Sequence, residues 1–434
     1  MPKDLTRREV LRVSAASAVG LVAAPTIFAR TKGWEIDKPR FAAVGVGGKG
    51  DSDTADAARL GALVAICDAD RNTLAEAQKK YPNAKAYTDY RYMLRDFAGK
   101  LDGITVSTPD HNHALPSAIA LSMGVACFTQ KPLTRTVWEA RWLQDLARKN
   151  RVVSQMGNQG TANDELRRNA AWIKAGALGT VREIHVWTDR AAGWWPQGVP
   201  HPLPDSKPAH VDWDAWLGPA PVRHFSQAYH PFKWRGWWDF GSGALGDMGC
   251  HILNMPFMAL DLRDPISIRA ETTGRTDEAF PVSAIVTYHF AARGNRGPVK
   301  LVWYDGRNKP SADLVGGAQI SSGGVIVIGD KDTLYQASEH GQNCRLLKGT
   351  PPEVTFEKSP GHFEELIRAM DGGKRAMSDI VDYSGPLTET VVLGNLAVWN
   401  PGPTLEWDAA TMKVKGRPDL DALIKPEYRE GWRL

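Results

Sequence analysis

The feature that most constrains the fold of this chain is a glycine loop at residues 45–50, which reads G-V-G-G-K-G. An apolar stretch at 40–44 precedes the loop, a stretch rich in alanine and aspartate at 51–60 follows it, and a second apolar run at 62–67 ends at Asp68. This order predicts a strand, a tight turn, a helix and a second strand. A βαβ unit of this kind, with an acidic residue about twenty positions after the loop, is typical of dinucleotide binding.

The loop and the acidic residue have separate predicted parts in holding a dinucleotide. Gly45 permits the tight turn, Gly47 lets the backbone approach the pyrophosphate, and Gly50 allows close packing of helix on strand. The carboxylate of Asp68 can accept hydrogen bonds from both ribose hydroxyls and would repel a 2′-phosphate, which favours NAD over NADP. Arg71 is close enough in sequence to keep NADP as an alternative. The predicted cofactor contacts in the loop are Gly45, Gly47, Gly48 and Gly50.

Strand and helix patterns continue to alternate as far as residue 156, which predicts an α/β domain with a parallel sheet. Polar residues follow two further predicted strands, at 101–107 and 126–129. Ligands of an open parallel sheet lie beyond the carboxyl ends of its strands, so these residues are predicted cofactor contacts. They are Thr108, Pro109 and His113 after the first of these strands, and Gln130 and Lys131 after the second.

Four motifs resemble those of the family of glucose–fructose oxidoreductase, inositol dehydrogenase and MocA. They are the glycine loop, Thr108-Pro109-Asp110-His111-Asn112-His113, Gln130-Lys131-Pro132 and Gly246-Asp247-Met248-Gly249-Cys250-His251. The resemblance covers residues 41–383. It implies an N-terminal Rossmann NAD(P)-binding domain, followed by an α/β domain whose large open, mainly antiparallel sheet mediates homo-oligomers (a dimer or tetramer). One position departs from the family pattern, because Gln130 stands where the family has a glutamate.

The last motif contains the predicted catalytic residues. Asp247 and His251 are four positions apart, so a helix would place both side chains on one face. The resemblance assigns His251 as the base that takes a hydroxyl proton, a role that suits an imidazole. It assigns Asp247 to an adjacent hydroxyl and Lys131 to the reacting oxygen. The predicted substrate contacts are Lys131, Asn158, Gln159, Trp237, Trp238, Asp247 and His251.

Tryptophan is unusually frequent, with sixteen residues, of which eight lie between positions 187 and 238. Aromatic faces stack well on the C–H faces of sugars, so some of these side chains are expected to line a substrate pocket. The alternative is that they only pack in the core and in loops, since indole rings bury a large area. The four cysteines are far apart and form no C-x-x-C pair, so no metal site is predicted.

The first 30 residues have the pattern of an export signal. Thr6-Arg7-Arg8-Glu9-Val10-Leu11 precedes a weakly apolar run of small residues at 13–24. A twin-arginine signal directs a protein to the machinery that exports folded proteins. We therefore expect a periplasmic protein with a tightly bound cofactor, because free nicotinamide cofactor is scarce outside the cytoplasm. A Sec signal and a disordered arm are the alternatives.

Behind the signal, the sequence divides into a Rossmann domain at 31–157, an α/β substrate and oligomerisation domain at 158–385, and a C-terminal helix and tail at 386–434. The formal charge of +4 includes the basic signal, so it implies no nucleic-acid partner. The expected function is NAD(P)-dependent transfer of hydride from a secondary hydroxyl of a sugar, glycoside or polyol. One alternative is a redox-neutral glycosidase or lyase that acts through a 3-keto intermediate. Another is a sugar-binding protein without catalysis.

Overall fold

The computed structural model describes residues 38–433, so the predicted export signal lies outside the described residues. Its first sheet has six parallel strands in the order β3-β2-β1-β4-β5-β6. The strand order reverses between β1 and β4, and a crevice opens there at the carboxyl ends of the strands. The strands are β1 (Arg40–Val44), β2 (Ala62–Cys67), β3 (Lys85–Tyr87), β4 (Gly103–Val106), β5 (Ala126–Gln130) and β6 (Ser154–Gly157).

Helices connect these strands and cover both faces of the sheet. Thr136 begins the last of them with a capping box, in which its hydroxyl accepts from the backbone of Glu139 and the Glu139 carboxylate accepts from Thr136 N. The helices are α1 (Lys49–Leu60), α2 (Arg71–Lys80), α3 (Tyr90–Asp96), α4 (Ala114–Ser122) and α5 (Val137–Asn150).

The second sheet has nine strands in the order β13-β12-β11-β7-β10-β9-β8-β14-β15. Among its described strands only β7 and β10 pair in parallel, so the predicted large, mainly antiparallel sheet is confirmed. The strands are β7 (Val181–Trp187), β8 (Ser267–Thr273), β9 (Ser283–Phe290), β10 (Val299–Tyr304), β11 (Gly324–Gly329), β12 (Thr333–Gln336), β13 (Cys344–Leu346), β14 (Leu405–Asp408) and β15 (Lys413–Val414).

Helices of the C-terminal half join the two sheets. The longest, α12, packs against α5 of the first domain and against β8 of the second, and most of its residues are buried. In α11, Phe363 stacks on Phe128 of the first domain with ring centroids 4.3 Å apart. The remaining helices are α6 (Asp164–Lys174), α7 (Ala191–Trp194), α8 (Trp213–Leu217), α9 (Gly243–Ile252), α10 (Asn254–Leu260), α11 (His362–Met370), α12 (Gly385–Trp399) and α13 (Asp421–Ile424).

The connection from β7 to α9, residues 188–242, returns to the first domain, and we call it the bridging segment. Val211 forms an antiparallel β-bridge with Asp70, and the backbone of Asp212 donates to the carbonyl of Ala69 at 2.8 Å. A buried aromatic cluster that includes Trp216 and Phe240 stabilises the segment. Since Asp70 follows β2, the bridging segment lies across the crevice of the Rossmann sheet.

The four cysteines are free. Within residues 38–433, no helix has the length and apolar character needed to cross a membrane.

Candidate active site

The crevice and the second domain enclose a cavity of about 660 Å³. It lies between the carboxyl ends of β1, β4 and β5, helix α9 and the bridging segment. Twelve predicted site residues line it: Gly45, Gly47, Gly48, Asp68, Thr108, Pro109, His113, Gln130, Lys131, Gln159, Asp247 and His251. The other four predicted residues lie outside the lining: Gly50, Asn158, Trp237 and Trp238.

The glycine loop has the backbone geometry that a bound phosphate group requires. Gly45 has φ 77°, and a Cβ there would lie 2.6 Å from the carbonyl oxygen of Ser107. A Cβ at Gly50 would collide with the carbonyl oxygen of Gly45, so α1 packs closely on the loop. Helix α1 begins behind Gly48 with no side chain capping its N-terminus, and space is open where a Cβ of Gly48 would stand. This uncapped helix N-terminus at the cavity therefore suits an anion.

Asp68 lies at the other side of the loop. Its carboxylate accepts from the backbone N–H of Val46 at 3.0 Å and of Asp70 at 2.9 Å. Burial raises the pKa of Asp68 to about 6, although these backbone hydrogen bonds oppose the rise. Arg71 donates to the carbonyl of Ala209 at 3.0 Å and does not line the cavity. This end of the cavity therefore presents carboxylates and no arginine, which suits the free 2′-hydroxyl of NAD.

The turn after β4 contributes Thr108 and His113. The hydroxyl of Thr108 is buried and has no hydrogen-bond partner among the described residues, so it is available to a ligand in the cavity. The two ring nitrogens of His113 face the carbonyl oxygens of Pro132 at 2.8 Å and of Thr108 at 2.7 Å. His113 therefore ties the turn after β4 to the turn after β5, and leaves no ring nitrogen for a cofactor.

Gln130 departs from the family glutamate, and its surroundings give the physical reason. Its amide Nε2 donates to a carboxylate oxygen of Asp53 in α1 at 2.8 Å, with both side chains almost fully buried. Asp53 also accepts from Ser107 Oγ at 2.8 Å and pairs with Lys49 at 2.7 Å. A glutamate at position 130 would place a second carboxylate beside Asp53, whereas the amide supplies a donor.

Lys131, Asp247 and Arg235 form a partly buried charged group at the other end of the cavity. Lys131 Nζ donates to the backbone carbonyl of Asp247 at 2.8 Å and to its Oδ1 at 3.2 Å. Arg235 Nε donates to the same Oδ1 at 3.1 Å. Burial opposes ionisation of Asp247, but the cations of Lys131 and Arg235 lower its pKa to about 2. Asp247 is therefore an anion at every pH where the protein would work.

His251 lies one helical turn after Asp247 on the cavity face of α9, as the spacing predicted. Its Nδ1 is 2.9 Å from Oδ1 of Asn158, and Asn158 Nδ2 donates to the carbonyl of Cys250 at 2.6 Å. That second bond fixes the amide of Asn158, so its oxygen accepts from Nδ1–H of His251. The Nε2 atom then has a free lone pair. Burial and the nearby cation of Lys131 hold the pKa of His251 well below its usual value, which keeps the ring neutral.

Two residues without any sequence motif complete this end of the cavity. The ring of His340, from the loop after β12, meets the ring of His251 edge to face with centroids 4.8 Å apart. Arg190 also lines the cavity and pairs through Nε with Glu339 at 3.2 Å. Burial lowers the pKa of His340. The adjacent residues Glu339 and His340 lie in a loop and form no motif, so their place at the site could not be predicted from the sequence.

Some tryptophans of this region pack inside the protein, and others line the cavity. Trp237 donates to the carbonyl of Ala228 inside the aromatic cluster of the bridging segment, and Trp238 packs on Phe280. Neither predicted contact therefore reaches the cavity. Four other tryptophans line it instead: Trp194, Trp195, Trp216 and Trp234. The sequence of this segment contains no periodic pattern from which the cavity-facing tryptophans could be predicted.

The uncapped helix end, Asp68 and the unpartnered Thr108 hydroxyl all fit a dinucleotide, and the opposite end has a neutral base beside an ion pair. Fold and site together define a two-domain, Rossmann-type dinucleotide-dependent protein. Within residues 38–433, no group of three or more histidine, cysteine or acidic side chains is placed to hold a metal.

Comparison with protein families identifies the class further. Residues 39–158 match the family model described as oxidoreductase family, NAD-binding Rossmann fold. Residues 168–318 match the model described as oxidoreductase family, C-terminal alpha/beta domain. The chain therefore belongs to the oxidoreductase family of glucose–fructose oxidoreductase, inositol dehydrogenase and MocA, which confirms the resemblance, the fold class and NAD as the cofactor class.

Curated relatives match over part of their length. Levoglucosan dehydrogenase of Pseudarthrobacter phenanthrenivorans is 23% identical over 191 residues, which are 44% of this chain and 40% of that protein. D-glucoside 3-dehydrogenase of Escherichia coli is 33% identical over 132 residues, 30% of this chain and 35% of that protein. The chain thus aligns with less than half the length of the curated relatives it matches.

Solved structures share the whole fold. The WlbA dehydrogenase from Chromobacterium violaceum, in complex with NADH and UDP-GlcNAcA, superposes with a TM-score of 0.64 at 16% identity, covering 90% of this chain and 99% of that one. An inositol dehydrogenase homolog from Azotobacter vinelandii, complexed with NADH and myo-inositol, gives a TM-score of 0.56 at 18% identity, covering 86% and 98%. At these identities the likeness establishes the fold alone.

Proposed function

We propose that this protein is an NAD-dependent oxidoreductase that oxidises a secondary hydroxyl of a sugar, glycoside or polyol. One observation carries the proposal. The neutral His251, with Nε2 free and Nδ1–H held by Asn158, stands in one cavity with the Lys131–Asp247 pair and the glycine loop. A lone pair that can accept a proton and a paired ammonium group thus lie together at the end of the cavity opposite Asp68, which supports the proposal.

Each residue has a role that follows from its charge and partners. His251 Nε2 takes the hydroxyl proton, since a neutral imidazole is the form that can accept it. The ammonium of Lys131 stabilises the oxygen as that proton leaves. The carboxylate of Asp247 accepts a hydrogen bond from a neighbouring hydroxyl of the substrate and so fixes the orientation of the sugar ring. Bound nicotinamide supplies the acceptor for the hydride that leaves the same carbon.

The names of similar proteins support the substrate class. Two of the curated relatives are a levoglucosan and a D-glucoside dehydrogenase, and one structural neighbour was solved with myo-inositol. All three ligands are polyhydroxylated rings with adjacent secondary hydroxyls. The Asp247 and His251 side chains, one helical turn apart, suit two such neighbouring hydroxyls.

The proposal includes the protein's cellular location and its oligomeric state. The twin-arginine pattern at residues 6–11 supports periplasmic export of a folded holoprotein, with the cofactor recycled in place, and the open second sheet supports a homo-oligomer. Mass spectrometry of nucleotide released from protein purified from the periplasm tests the first point, and light scattering tests the second. An empty protein or a monomer would contradict the corresponding point.

A redox-neutral glycosidase or lyase is a second candidate, favoured by the second imidazole, His340, beside His251. After oxidation at C3, the acidified C2 proton needs a base of its own, and the aglycone leaves from C1. Release of free aglycone without net change in the cofactor would distinguish this reaction from net oxidation.

The test of the main proposal is a panel of glycosides and polyols with purified holoprotein, followed by the absorbance of reduced nicotinamide. His251→Gln and Lys131→Met are expected to abolish reduction while the cofactor stays bound. Leu203→Ala, an exposed apolar position outside the cavity, is the control. Full activity in both site variants would refute the assignment.

A further inference from the structure

Two large aromatic side chains stand at the open end of the cavity. Trp194 is 49% exposed and Phe232 is 44% exposed, and both line the cavity. Their neighbours in sequence, Trp195 and Trp234, also line it but are buried. Exposed apolar surface that is rimmed by polar groups is common in ligand-binding grooves, and these two rings are exposed at the cavity itself.

Each exposed ring rests on an arginine that is itself held by a carboxylate. The guanidinium of Arg190 lies 4.8 Å from the ring centroid of Trp194, and Arg190 pairs with Glu339. The guanidinium of Arg235 lies 4.5 Å from the ring centroid of Phe232, and Arg235 pairs with Asp247. A cation on one face of an aromatic ring fixes the ring and leaves the opposite face for another partner.

The chemistry of this rim suits a neutral ring rather than an anion. Arg190 pairs with Glu339 through Nε, and Arg235 shares the Asp247 carboxylate with Lys131, so neither arginine stands as an isolated cation for a phosphate or carboxylate. Trp195, which is 5% exposed, has an Nε1–H that is buried without an acceptor among the described residues. Aromatic faces with a nearby unpaired donor match the C–H face and hydroxyls of a sugar ring.

We infer that Trp194 and Phe232 form an outer subsite for a second ring of the substrate, attached to the ring held by Lys131, Asp247 and His251. The inference rests on the proposed function and names its substrate class: a glycoside whose second ring is a sugar, in preference to a free monosaccharide or a small polyol. Arg235 contacts both Phe232 and Asp247, so the subsite adjoins the catalytic group directly.

The experiment compares cellobiose with methyl β-glucoside, and maltose with methyl α-glucoside, on the holoprotein. Trp194→Leu and Phe232→Leu remove the ring face and keep apolar volume, whereas Trp194→Phe keeps a ring. Each leucine variant is expected to raise KM for the disaccharide about tenfold, the change that ~1.4 kcal/mol corresponds to. KM for the methyl glycoside, and kcat for both, should stay unchanged. Trp194→Phe should restore most of the loss, and Leu203→Ala should match the unmodified protein.

Calorimetric binding of the disaccharides separates the subsite from the reaction. If nothing is oxidised but a disaccharide binds and the leucine variants weaken it, the subsite stands and the proposed function fails. If methyl glycosides are oxidised as efficiently as disaccharides and the variants change nothing, the function stands and the subsite fails. Equal losses for both substrate types, or no binding of either disaccharide, would also overturn the inference.

Discussion

Replacing Gln130 with glutamate restores the family residue and tests whether Asp53 dictates the amide in this chain. The amide nitrogen lies 2.8 Å from the Asp53 carboxylate, and both side chains are buried. Two unit charges 4 Å apart repel by ~4 kcal/mol at an effective dielectric constant of about 20. Lys49, paired with Asp53 at 2.7 Å, offsets part of this. We therefore expect Gln130→Glu to lower the free energy of unfolding by about 2–4 kcal/mol at pH 8.

The sign of the pH dependence follows from the new carboxyl group. Burial beside Asp53 raises the pKa of this carboxyl group in the folded protein above its value in the unfolded chain. The folded variant is therefore most stable when the group is protonated. Near pH 4.5 the variant should match the unmodified protein, because a protonated glutamic acid donates to Asp53 as the amide does. The stability difference should then grow with pH by at most about 1.4 kcal/mol for each pH unit.

Urea unfolding of both proteins at several pH values between 4.5 and 8 measures this difference. The double variant Asp53→Asn with Gln130→Glu restores one amide and one carboxylate, so it should recover most of the loss. A stability difference that is flat with pH, or a double variant as unstable as Gln130→Glu, would refute the reasoning.

Three further predictions concern the catalytic end of the cavity. Because the pKa of His251 is held well below its usual value, kcat/KM should stay level through the ordinary histidine range near pH 6.5 and fall only in more acid solution; a fall through pH 6.5 would contradict this. Asn158→Leu frees the other tautomer of His251 and should lower kcat by up to the roughly 100- to 10,000-fold that a general base contributes, with KM unchanged; an equal rise in KM would indicate general damage instead. The ionised Asp247 contributes stability that is present above pH 4 and lost as pH falls through its lowered pKa of about 2. The stability difference from Asp247→Asn should therefore shrink by about 2 kcal/mol over that acid range, as circular dichroism would show.

The Rossmann domain could be predicted closely because its signals are local. The strand Arg40–Val44, the glycine turn and the strand ending at Cys67 follow from short-range steric and apolar patterns, and each lies where the sequence indicated. The paths of the later elements were not predictable in the same way. Helix α11, for example, falls in the predicted second domain but packs its Phe363 on the first, a contact set by packing partners distant in sequence.

The residues of the candidate site were likewise predictable only where a local motif contained them. Motifs indicated Lys131, Asp247 and His251, and the fold brings these three together in the cavity. Asn158 was expected to contact substrate, whereas it lies behind His251 and sets its tautomer. His340 and Arg190 gave no signal at all, because they come from loops whose approach to α9 depends on the nine-stranded sheet.

The bridging segment covers one end of the cavity more than the other, which affects how fast each ligand can dissociate. Its His230 and Trp216 line the end near Asp68, and its backbone is fastened to the first domain through Val211. Under the proposed function, we expect a dinucleotide in this part of the cavity to leave only after these contacts open, and a sugar to exchange beside the exposed Trp194. We expect the nucleotide to dissociate far more slowly than substrates exchange, so that one molecule of it serves many turnovers and successive sugars alternate over a resident redox centre.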